Sequence, residues 1–484
     1  MIGLVRNEWK KVFLPVLLTT VLLAIAMSVL SCTIYQNYTL HYDLEAWEVG
    51  TELFSLLYPL FVVVPLCWNL YYERKNNFLL YVMPRVKIKK YLTAKWIAYA
   101  LGTLCIIVIP YILSAVFALY VKPPVVPFVG NPFSHIFENA FIKTPLLYAV
   151  ALSLWRGIVS LFVMTFGFVL ALYCKNIFVI LTGPFMYSIL ENFVLAILRL
   201  ERLRLVVAFD PTTVDPRVVS IFSFFFGPIV LSIVIGLTAF LLSKKNAVVQ
   251  ENIELGGQNM SSYIEVRNVS KSFGGKAILQ DVSLSIEQGT AVGLVGANGS
   301  GKSVLFKILC GFEKPDQGSV YVRGKQLGKN GRDFPESLGV FINSPSFIGI
   351  YSGFQNLKFL ADIQGKIGEK EIRQAMGKVG LDPDNKTKVD NYSLGMKQKL
   401  GIAQAIMEGQ DILILDEPFN ALDYKTYEDV KAIIRMLKAE GKTIFLTSHH
   451  FKDIEQLCDQ VYSIEDCRLI PITEEIAARY REME

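Results

Sequence analysis

The sequence has no closely spaced cysteines. Its seven cysteines are spread over the whole chain, at Cys32, Cys67, Cys105, Cys174, Cys310, Cys458 and Cys467. Zinc sites and disulfide frameworks need cysteines at short, regular spacings, and disulfides also need an oxidising compartment. The pattern therefore predicts neither a zinc site nor a disulfide.

Charged residues are scarce before Lys244 and frequent after it. Hydrophobic residues make up 52% of the chain and the mean hydropathy is +0.40, values that are typical of a membrane protein. The net charge of +5 comes without a basic stripe, so we expect no nucleic-acid partner. We predict a transmembrane domain over residues 1–245, a polar linker over 246–262 and a soluble domain over 263–484.

Six apolar runs in the first part are long enough to cross a lipid bilayer as helices. The predicted spans are residues 13–35, 53–71, 96–121, 146–173, 177–198 and 219–243. Basic residues cluster at the amino end, between residues 74 and 95, and after the last span. Because basic residues favour the cytoplasmic side, we expect an all-α, six-helix domain in the cell membrane, with the amino terminus and the soluble domain in the cytoplasm.

Two stretches at the predicted cytoplasmic side each have two interpretations. Ile2, Val5, Trp9 and Phe13 recur at helical spacing, which indicates either an amphipathic helix at the membrane interface or an extension of the first span. The basic connection over residues 74–95 either transmits force to the soluble domain or is a solvated loop that faces phospholipid headgroups.

Arg156 and Glu191 are ionisable residues inside apolar runs. They fall at similar depths on neighbouring predicted spans, so we expect them to pair. Such a pair either joins two spans structurally or lies on a substrate pathway.

Residues 296–303 read GANGSGKS, a complete phosphate-binding loop between an apolar run and a helical pattern. The predicted phosphate-binding residues are Gly296, Asn298, Gly299, Ser300, Gly301, Lys302 and Ser303. In such a loop the lysine reaches the β- and γ-phosphates and the last hydroxyl holds Mg²⁺. Strand-like runs on both sides predict an α/β domain with an antiparallel portion, and we expect ATP and Mg²⁺ to bind there.

Asp416 and Glu417 end an apolar run over residues 412–415, about 110 residues after the loop. A buried strand there places Asp416 to bind Mg²⁺, directly or through water. Glu417 is then the predicted general base that polarises the attacking water.

Residues 392–399 read YSLGMKQK and lie between these two motifs. Over residues 263–470 the chain resembles the ABC transporter ATPases, P-loop NTPases whose signature at this place has the form Leu-Ser-Gly-Gly-Gln. In that family the serine and the glycine bind the γ-phosphate of the ATP held by the opposite subunit. The resemblance therefore implies this role for Ser393 and Gly395, and a head-to-tail pair of copies.

The same resemblance implies roles for four more residues. Phe273 would stack on adenine, Asp423 would reach the partner's site, and His449 would contact the γ-phosphate. The expected catalytic residues are therefore Glu417, His449 and Lys302. Asn343 stands where the family usually has glutamine, so it would bind nucleotide or Mg²⁺ with a side chain that is one methylene shorter.

The layout of the first part resembles the permeases of drug, polysaccharide and peptide ABC exporters. One permease and one ATPase in a chain would make a half-transporter that pairs with a second copy or with a related half-transporter. The implied function is ATP-driven export of a hydrophobic or amphipathic peptide, lipid or drug. The alternative is a non-transporting membrane regulator, or mechanotransmitter, that is driven by ATP.

Overall fold

The structure is a computed structural model that describes residues 1–76, 78–126, 134–246, 263–328, 334–342 and 347–482. The chain forms two compact units. The first comprises Met1–Lys75 and Ile88–Val248, and the second comprises Asn76–Lys87 and Val249–Glu484. The predicted basic connection is thus divided, since its middle part packs with the soluble half.

The first part of the chain is helical throughout its regular structure. In chain order its helices are α1 (Ile2–Thr33), α2 (Glu45–Thr51), α3 (Phe54–Lys75), α4 (Phe78–Val82), α5 (Ile88–Tyr120), α6 (Glu138–Lys143), α7 (Pro145–Tyr173), α8 (Ile177–Ile197), α9 (Leu205–Phe209) and α10 (Ile221–Asn246). Among the described residues, six helices are long and apolar enough to span a membrane: α1, α3, α5, α7, α8 and α10. They match the six predicted spans in order, and the predicted membrane fold class is confirmed.

The amino end belongs to the first span. Helix α1 runs without interruption from Ile2, and Glu8 and Lys11 on it are buried. Because the helix is continuous and these charges face protein rather than water, the structure favours an extension of the first span over an amphipathic helix at the membrane interface.

Glu8 and Lys11 belong to a buried network of four charges, which we call the ion cluster: Glu8, Lys11, Glu73 and Lys95. The Lys11 ammonium lies 2.7 Å from a Glu8 oxygen and 2.8 Å from a Glu73 oxygen. The Lys95 ammonium lies 2.5 Å and 2.9 Å from the other oxygens of the same two carboxylates. The cluster joins α1, α3 and α5 and is electrically neutral. Lys95, which the sequence places in an exposed basic connection, is therefore a buried partner of two carboxylates.

Arg156 does not pair with Glu191. Its guanidinium lies 2.8 Å from a carboxylate oxygen of Asp210, and both side chains are fully buried. The Glu191 carboxylate instead accepts from the backbone N–H of Leu205, at 2.9 and 3.1 Å, where α9 begins. The predicted pairing of Arg156 with Glu191 is therefore wrong. The actual partner, Asp210, lies outside the apolar runs, and only the folding of the segment before α10 brings it to Arg156.

His135 fixes the connection between α5 and α7 to α2. Its ring nitrogens lie 2.9 Å from a Glu45 oxygen and 3.5 Å from a Glu48 oxygen, and its ring stacks on Phe141 at 3.8 Å between ring centres. Burial by itself lowers the pKa of His135, but the hydrogen bonds and charges of the two glutamates outweigh it and raise the pKa to about 9.

The raised pKa predicts a loss of stability at alkaline pH. The contribution of protonated His135 is fully present below its ordinary pKa of 6.5 and is lost as the pH rises through about 9. We expect the unfolding temperature of the first unit to fall between pH 7 and 10 more steeply in the wild type than in His135→Gln, measured by tryptophan fluorescence. Parallel curves for the two proteins would contradict the assignment.

The second unit is an α/β domain. Its strands are β1 (Ile264–Phe273), β2 (Lys276–Ile286), β3 (Ala291–Val295), β4 (Gln317–Val322), β5 (Lys325–Gln326), β6 (Leu338–Phe341), β7 (Ile412–Leu415), β8 (Thr443–Thr447), β9 (Gln460–Glu465) and β10 (Arg468–Pro471). Its later helices are α11 (Lys302–Cys310), α12 (Gly353–Gln364), α13 (Glu369–Lys378), α14 (Leu394–Ile406), α15 (Tyr424–Ala439), α16 (Phe451–Leu457) and α17 (Glu474–Glu482).

The described strands of this domain form two sheets. A four-stranded antiparallel sheet has the order β2-β1-β4-β5, and a six-stranded sheet has the order β10-β9-β3-β8-β7-β6. In the larger sheet β9, β3, β8, β7 and β6 run parallel, and β3, β6, β7 and β8 are buried along their length. Continuous apolar strands are typical of a parallel sheet that is covered on both faces. The predicted α/β class with an antiparallel portion is confirmed.

Candidate nucleotide-binding site

The site lies where β3, β8 and β7 end side by side. Because parallel strands present their carboxyl ends at one edge, the segments that follow them meet there. The loop over residues 296–301 follows β3, Asp416 follows β7, and Ser448 follows β8. Three motifs that are far apart in sequence therefore form one site.

The glycines of the loop are required by its shape. Gly296 has φ 144° and Gly301 has φ 112°, values that L side chains rarely adopt. A Cβ on Gly296 would also lie 2.8 Å from the Ser300 hydroxyl oxygen and 2.9 Å from the carbonyl oxygen of Ile464. The loop leads directly into α11, whose first backbone N–H groups and dipole favour an anion.

Lys302, the first residue of α11, is held over the loop. Its ammonium donates to the carbonyl oxygens of Gly296, at 2.7 Å, and Ala297, at 3.1 Å. Burial lowers the pKa of Lys302, and the carboxylates of Glu417 and Asp416 oppose that shift. The amine is thus positioned close to both carboxylates and the phosphate loop, and its contact with phosphate stays a prediction.

Ser303 and Asp416 are brought together. The Ser303 hydroxyl donates to one Asp416 oxygen at 2.8 Å, and the buried Thr447 hydroxyl donates to the other at 2.8 Å. A hydroxyl and a carboxylate that converge in this way are oxygen ligands of the type that Mg²⁺ prefers. The two residues therefore fit the predicted metal role.

Glu417 has a strained backbone conformation. Its φ of 54° is left-handed, which costs a non-glycine residue about 1–3 kcal/mol and persists only when the surroundings enforce it. Its backbone N–H donates to the Thr447 hydroxyl at 2.8 Å, and its carboxylate lies 3.0 Å from Nε2 of His449. The Glu417 side chain is 30% exposed, so water can reach the carboxylate.

Ser393, Gly395 and Asp423 lie at two helix starts that pack together. Ser393 caps α14 by accepting from the N–H of Met396 at 3.2 Å, and Asp423 caps α15 by accepting from the N–H of Thr426 at 3.1 Å. A Cβ on Gly395 would lie 2.5 Å from a methyl carbon of Thr426, so this glycine allows the close approach of the two helices. The described side-chain hydrogen bonds of Ser393 and Asp423 stay within their own helix starts. Their contact with a partner's nucleotide stays a prediction.

Phe273 ends β1 with 41% of its surface exposed. The ammonium of Lys271, which Glu313 and Asp316 pair at 2.9 and 3.0 Å, lies 5.2 Å from its ring centre. An exposed aromatic ring is available for stacking, and adenine stacking stays a prediction. Asn343 lies outside the described residues, so its predicted binding of nucleotide or Mg²⁺ stays a prediction.

Thr447 was not predicted as a functional residue. Its hydroxyl links the Asp416 carboxylate to the Glu417 backbone, so it sets the orientation of both acidic residues. The available sequence signal was a hydroxyl residue at the end of an apolar strand, immediately before Ser448 and His449.

The loop, the lysine and the two acidic residues at the carboxyl edge of a parallel sheet define a P-loop nucleotide triphosphatase. The ABC transporter family model matches residues 279–420. The ABC transporter ATP-binding protein YybJ of Bacillus subtilis is 43% identical over 206 residues, which cover 43% of this chain and 94% of the relative.

Two further relatives carry names that state what they transport. The lantibiotic transport ATP-binding protein SrtF of Streptococcus pyogenes is 35% identical over 43% of this chain and 89% of its own length. The bacitracin transport ATP-binding protein BcrA of Enterococcus faecalis is 34% identical over 44% of this chain and 69% of its own length. A solved bacterial ABC transporter cassette aligns with 43% of this chain and 96% of its own, with a TM-score of 0.39 and 23% identity. This chain belongs to the ABC transporter ATPases, which bind ATP and hydrolyse it in support of transport.

Proposed function

We propose that two of these chains, or one with a related half-transporter, form an ATP-driven exporter of a hydrophobic or amphipathic peptide, lipid or drug. Three observations support this proposal: six membrane-length helices precede an ABC ATPase in one chain, a segment between two of those helices packs with the ATPase, and two relatives are named for bacitracin and lantibiotic transport. The second observation carries the proposal.

The packed segment is Asn76–Lys87, which includes α4. The Asn76 amide donates to the carbonyl oxygen of Phe347 at 2.9 Å, and the ring of Tyr81 stacks on that of Phe347 at 5.6 Å. The Gln364 amide donates to the carbonyl oxygen of Arg85 at 2.9 Å. Since the segment continues directly into α3 and α5, movement of the ATPase surface pulls on two spans. This supports the force-transmitting interpretation of the basic connection over that of a solvated loop.

Arg85 forms an ion pair between the segment and the ATPase domain. Its Nε lies 2.9 Å from a Glu408 oxygen, and both side chains are less than one tenth exposed. With its amide turned to donate to Val340, Gln404 also accepts from both terminal nitrogens of Arg85 at 3.1 Å. Charge-assisted hydrogen bonds that are shielded from water in this way fix geometry better than exposed ones.

Hydrolysis follows from the residues of the site. Lys302 and the loop bind the phosphates, and Glu417 accepts a proton from the attacking water while His449 orients the Glu417 carboxylate. Ser303 and Asp416 would hold Mg²⁺, which supplies positive charge to the phosphate oxygens. In the proposed dimer, the exposed starts of α14 and α15, with Ser393 and Asp423, close over the partner's ATP. We place the amino terminus and the ATPase in the cytoplasm because of the basic connections.

Transport separates export from a regulatory role. In proteoliposomes whose ATPase domains face outward, we expect ATP to drive a labelled cationic amphipathic peptide into the lumen. Glu417→Gln is the matched inactive control. Sustained ATP hydrolysis without peptide accumulation would contradict export and favour the regulator.

Arg85→Ala is expected to lower peptide accumulation per ATP hydrolysed by about 5- to 150-fold, the usual range of a coupling free energy of 1–3 kcal/mol. The nearby exposed Lys87→Ala is the control and should behave as the wild type. The charge exchange Arg85→Glu with Glu408→Arg should restore part of the coupling. Unchanged transport per ATP in Arg85→Ala would contradict the proposed role of the segment.

A further inference from the structure

An apolar cavity of about 290 Å³ lies at the end of the first unit where α7 and α10 begin. Its lining is almost entirely apolar and aromatic and includes Tyr148, Leu152, Trp155, Pro211, Phe224 and Phe225. The indole N–H of Trp155 donates to the carbonyl oxygen of Ala208 at 2.7 Å, which fixes one wall. The cavity is thus a preformed apolar site with a rigid aromatic face.

A second cavity, also of about 290 Å³, adjoins the first. Ile136 lines both cavities, and the neighbours Pro211 and Thr212 line one each. The second cavity is also mainly apolar, but a larger share of its lining is polar, and Glu45, Glu48 and His135 line it among others. Each volume falls near the lower end of the range for small-molecule sites, about 300–1,000 Å³. Together they form an amphipathic site.

With both glutamates ionised, the charges around the second cavity do not balance. His135 is protonated at neutral pH because its pKa is raised to about 9. Its positive charge balances the negative charge of one of the two glutamates beside it. Arg156 and Asp210 also act electrostatically on Glu48, and their opposite charges balance each other. One carboxylate charge is left over.

Glu48 holds that uncompensated charge. Both carboxylate oxygens of Glu45 have partners: one pairs with His135, and the other accepts hydrogen bonds from the backbone N–H groups of His41 and Tyr42. Oxygen Oε1 of Glu48 is buried and has no hydrogen-bond partner among the described residues. Burial raises the pKa of Glu48, with His135 opposing the shift, so the bare carboxylate is costly there. A bound cation would remove this cost.

We propose that the two cavities bind a cationic amphiphile with a protonated amine beside Glu48 and an alkyl or aryl group against Trp155 and Phe225. The inference deepens the proposed function, on which it rests, by naming the substrate class: cationic amphiphiles rather than anionic or neutral ones. The aromatic lining also favours an organic cation near its rim.

Photolabelling tests the site without transport. The full chain in phosphatidylcholine nanodiscs, without ATP, is irradiated with diazirine-bearing dodecylamine or with diazirine-bearing dodecanoic acid as the matched anionic probe. Mass spectrometry should place the amine on peptides from the starts of α7 and α10, several times more strongly than the acid. Glu48→Gln should lower amine labelling to the level of the acid, and Ala151→Trp should fill the apolar cavity and lower labelling by both probes.

Glu52→Gln, an exposed carboxylate four residues beyond Glu48, and Leu154→Trp, on an exposed part of α7, are the matched controls and should label as the wild type. Equal labelling by the two probes, or a loss in Ala151→Trp but not in Glu48→Gln, would overturn the proposal. A chain that exports peptide but fails this test refutes the site alone. A chain that labels as expected but never transports refutes the proposed function alone.

Discussion

Replacing Glu417 by Gln is expected to lower the rate of ATP hydrolysis by about 10²–10⁴-fold, the usual contribution of a general base. The amide is nearly isosteric and can still contact Nε2 of His449, which lies 3.0 Å from the carboxylate. It cannot accept a proton from water. Nucleotide binding should persist because the loop, Lys302 and Asp416 are untouched.

Steady-state phosphate release and nucleotide binding, measured on the same preparation, check this expectation. The control is Glu440→Gln, which removes a carboxylate from an exposed pair with Lys378 and should leave both quantities unchanged. Hydrolysis at the wild-type rate in Glu417→Gln would show that another group takes the proton. Loss of binding as well would show that Glu417 acts in positioning ATP rather than as the base.

Replacing Lys95 by Met is expected to destabilise the first unit by about 3–5 kcal/mol. The two carboxylates of the ion cluster would then share a single ammonium, that of Lys11, and one buried negative charge would be uncompensated. All five tryptophans lie in the first 155 residues, so tryptophan fluorescence during denaturant titration reports this unit alone. The matched control is Lys90→Met, an exposed lysine on the same helix α5, which should change the stability of the first unit by at most about 0.5 kcal/mol.

A second variant distinguishes charge from shape in the ion cluster. Glu73→Gln with Lys95→Gln keeps the cluster neutral, so the double variant should be more stable than Lys95→Met alone. Equal stability of Lys95→Met and the wild type would show that the buried charges make no net contribution to the free energy of unfolding. If the double variant were less stable than the single one, packing rather than charge would dominate the cost.

Local patterns predict most of the architecture and the central part of the nucleotide site. Six apolar runs give six helices because a backbone in lipid must satisfy its own hydrogen bonds, and helix bounds differ from the predicted ones by a few residues, except where α1 and α5 extend further. Lys302 and Ser303 open the helix that follows β3, and Asp416 and Glu417 follow β7, so the four residues converge at the carboxyl edge of one parallel sheet.

The failures concern charges whose partners are distant in sequence. Arg156 was assigned to Glu191 because both lie inside apolar runs, yet Asp210, in an irregular segment, is its partner. Lys95 was placed in a basic connection by its neighbours in sequence, whereas its own environment is set by Glu8 and Glu73 on two other helices. The role of Thr447 could not be predicted from a sequence motif, because it depends on the ends of β7 and β8 lying side by side.

The sequence by itself determined the class of this protein: membrane-length helices from hydrophobic runs, a parallel sheet from buried strands, and an ATP site from a glycine-rich loop with two acidic residues. These features depend on local sequence, because hydrogen bonding and backbone sterics act over a few residues. Only the tertiary structure decided which buried charges pair, how Glu417 is held in a left-handed conformation, and that one oxygen of Glu48 finds no hydrogen-bond partner in the described part of the chain. Electrostatic partners are set by distance in space, and distance in space follows from packing rather than from order along the chain.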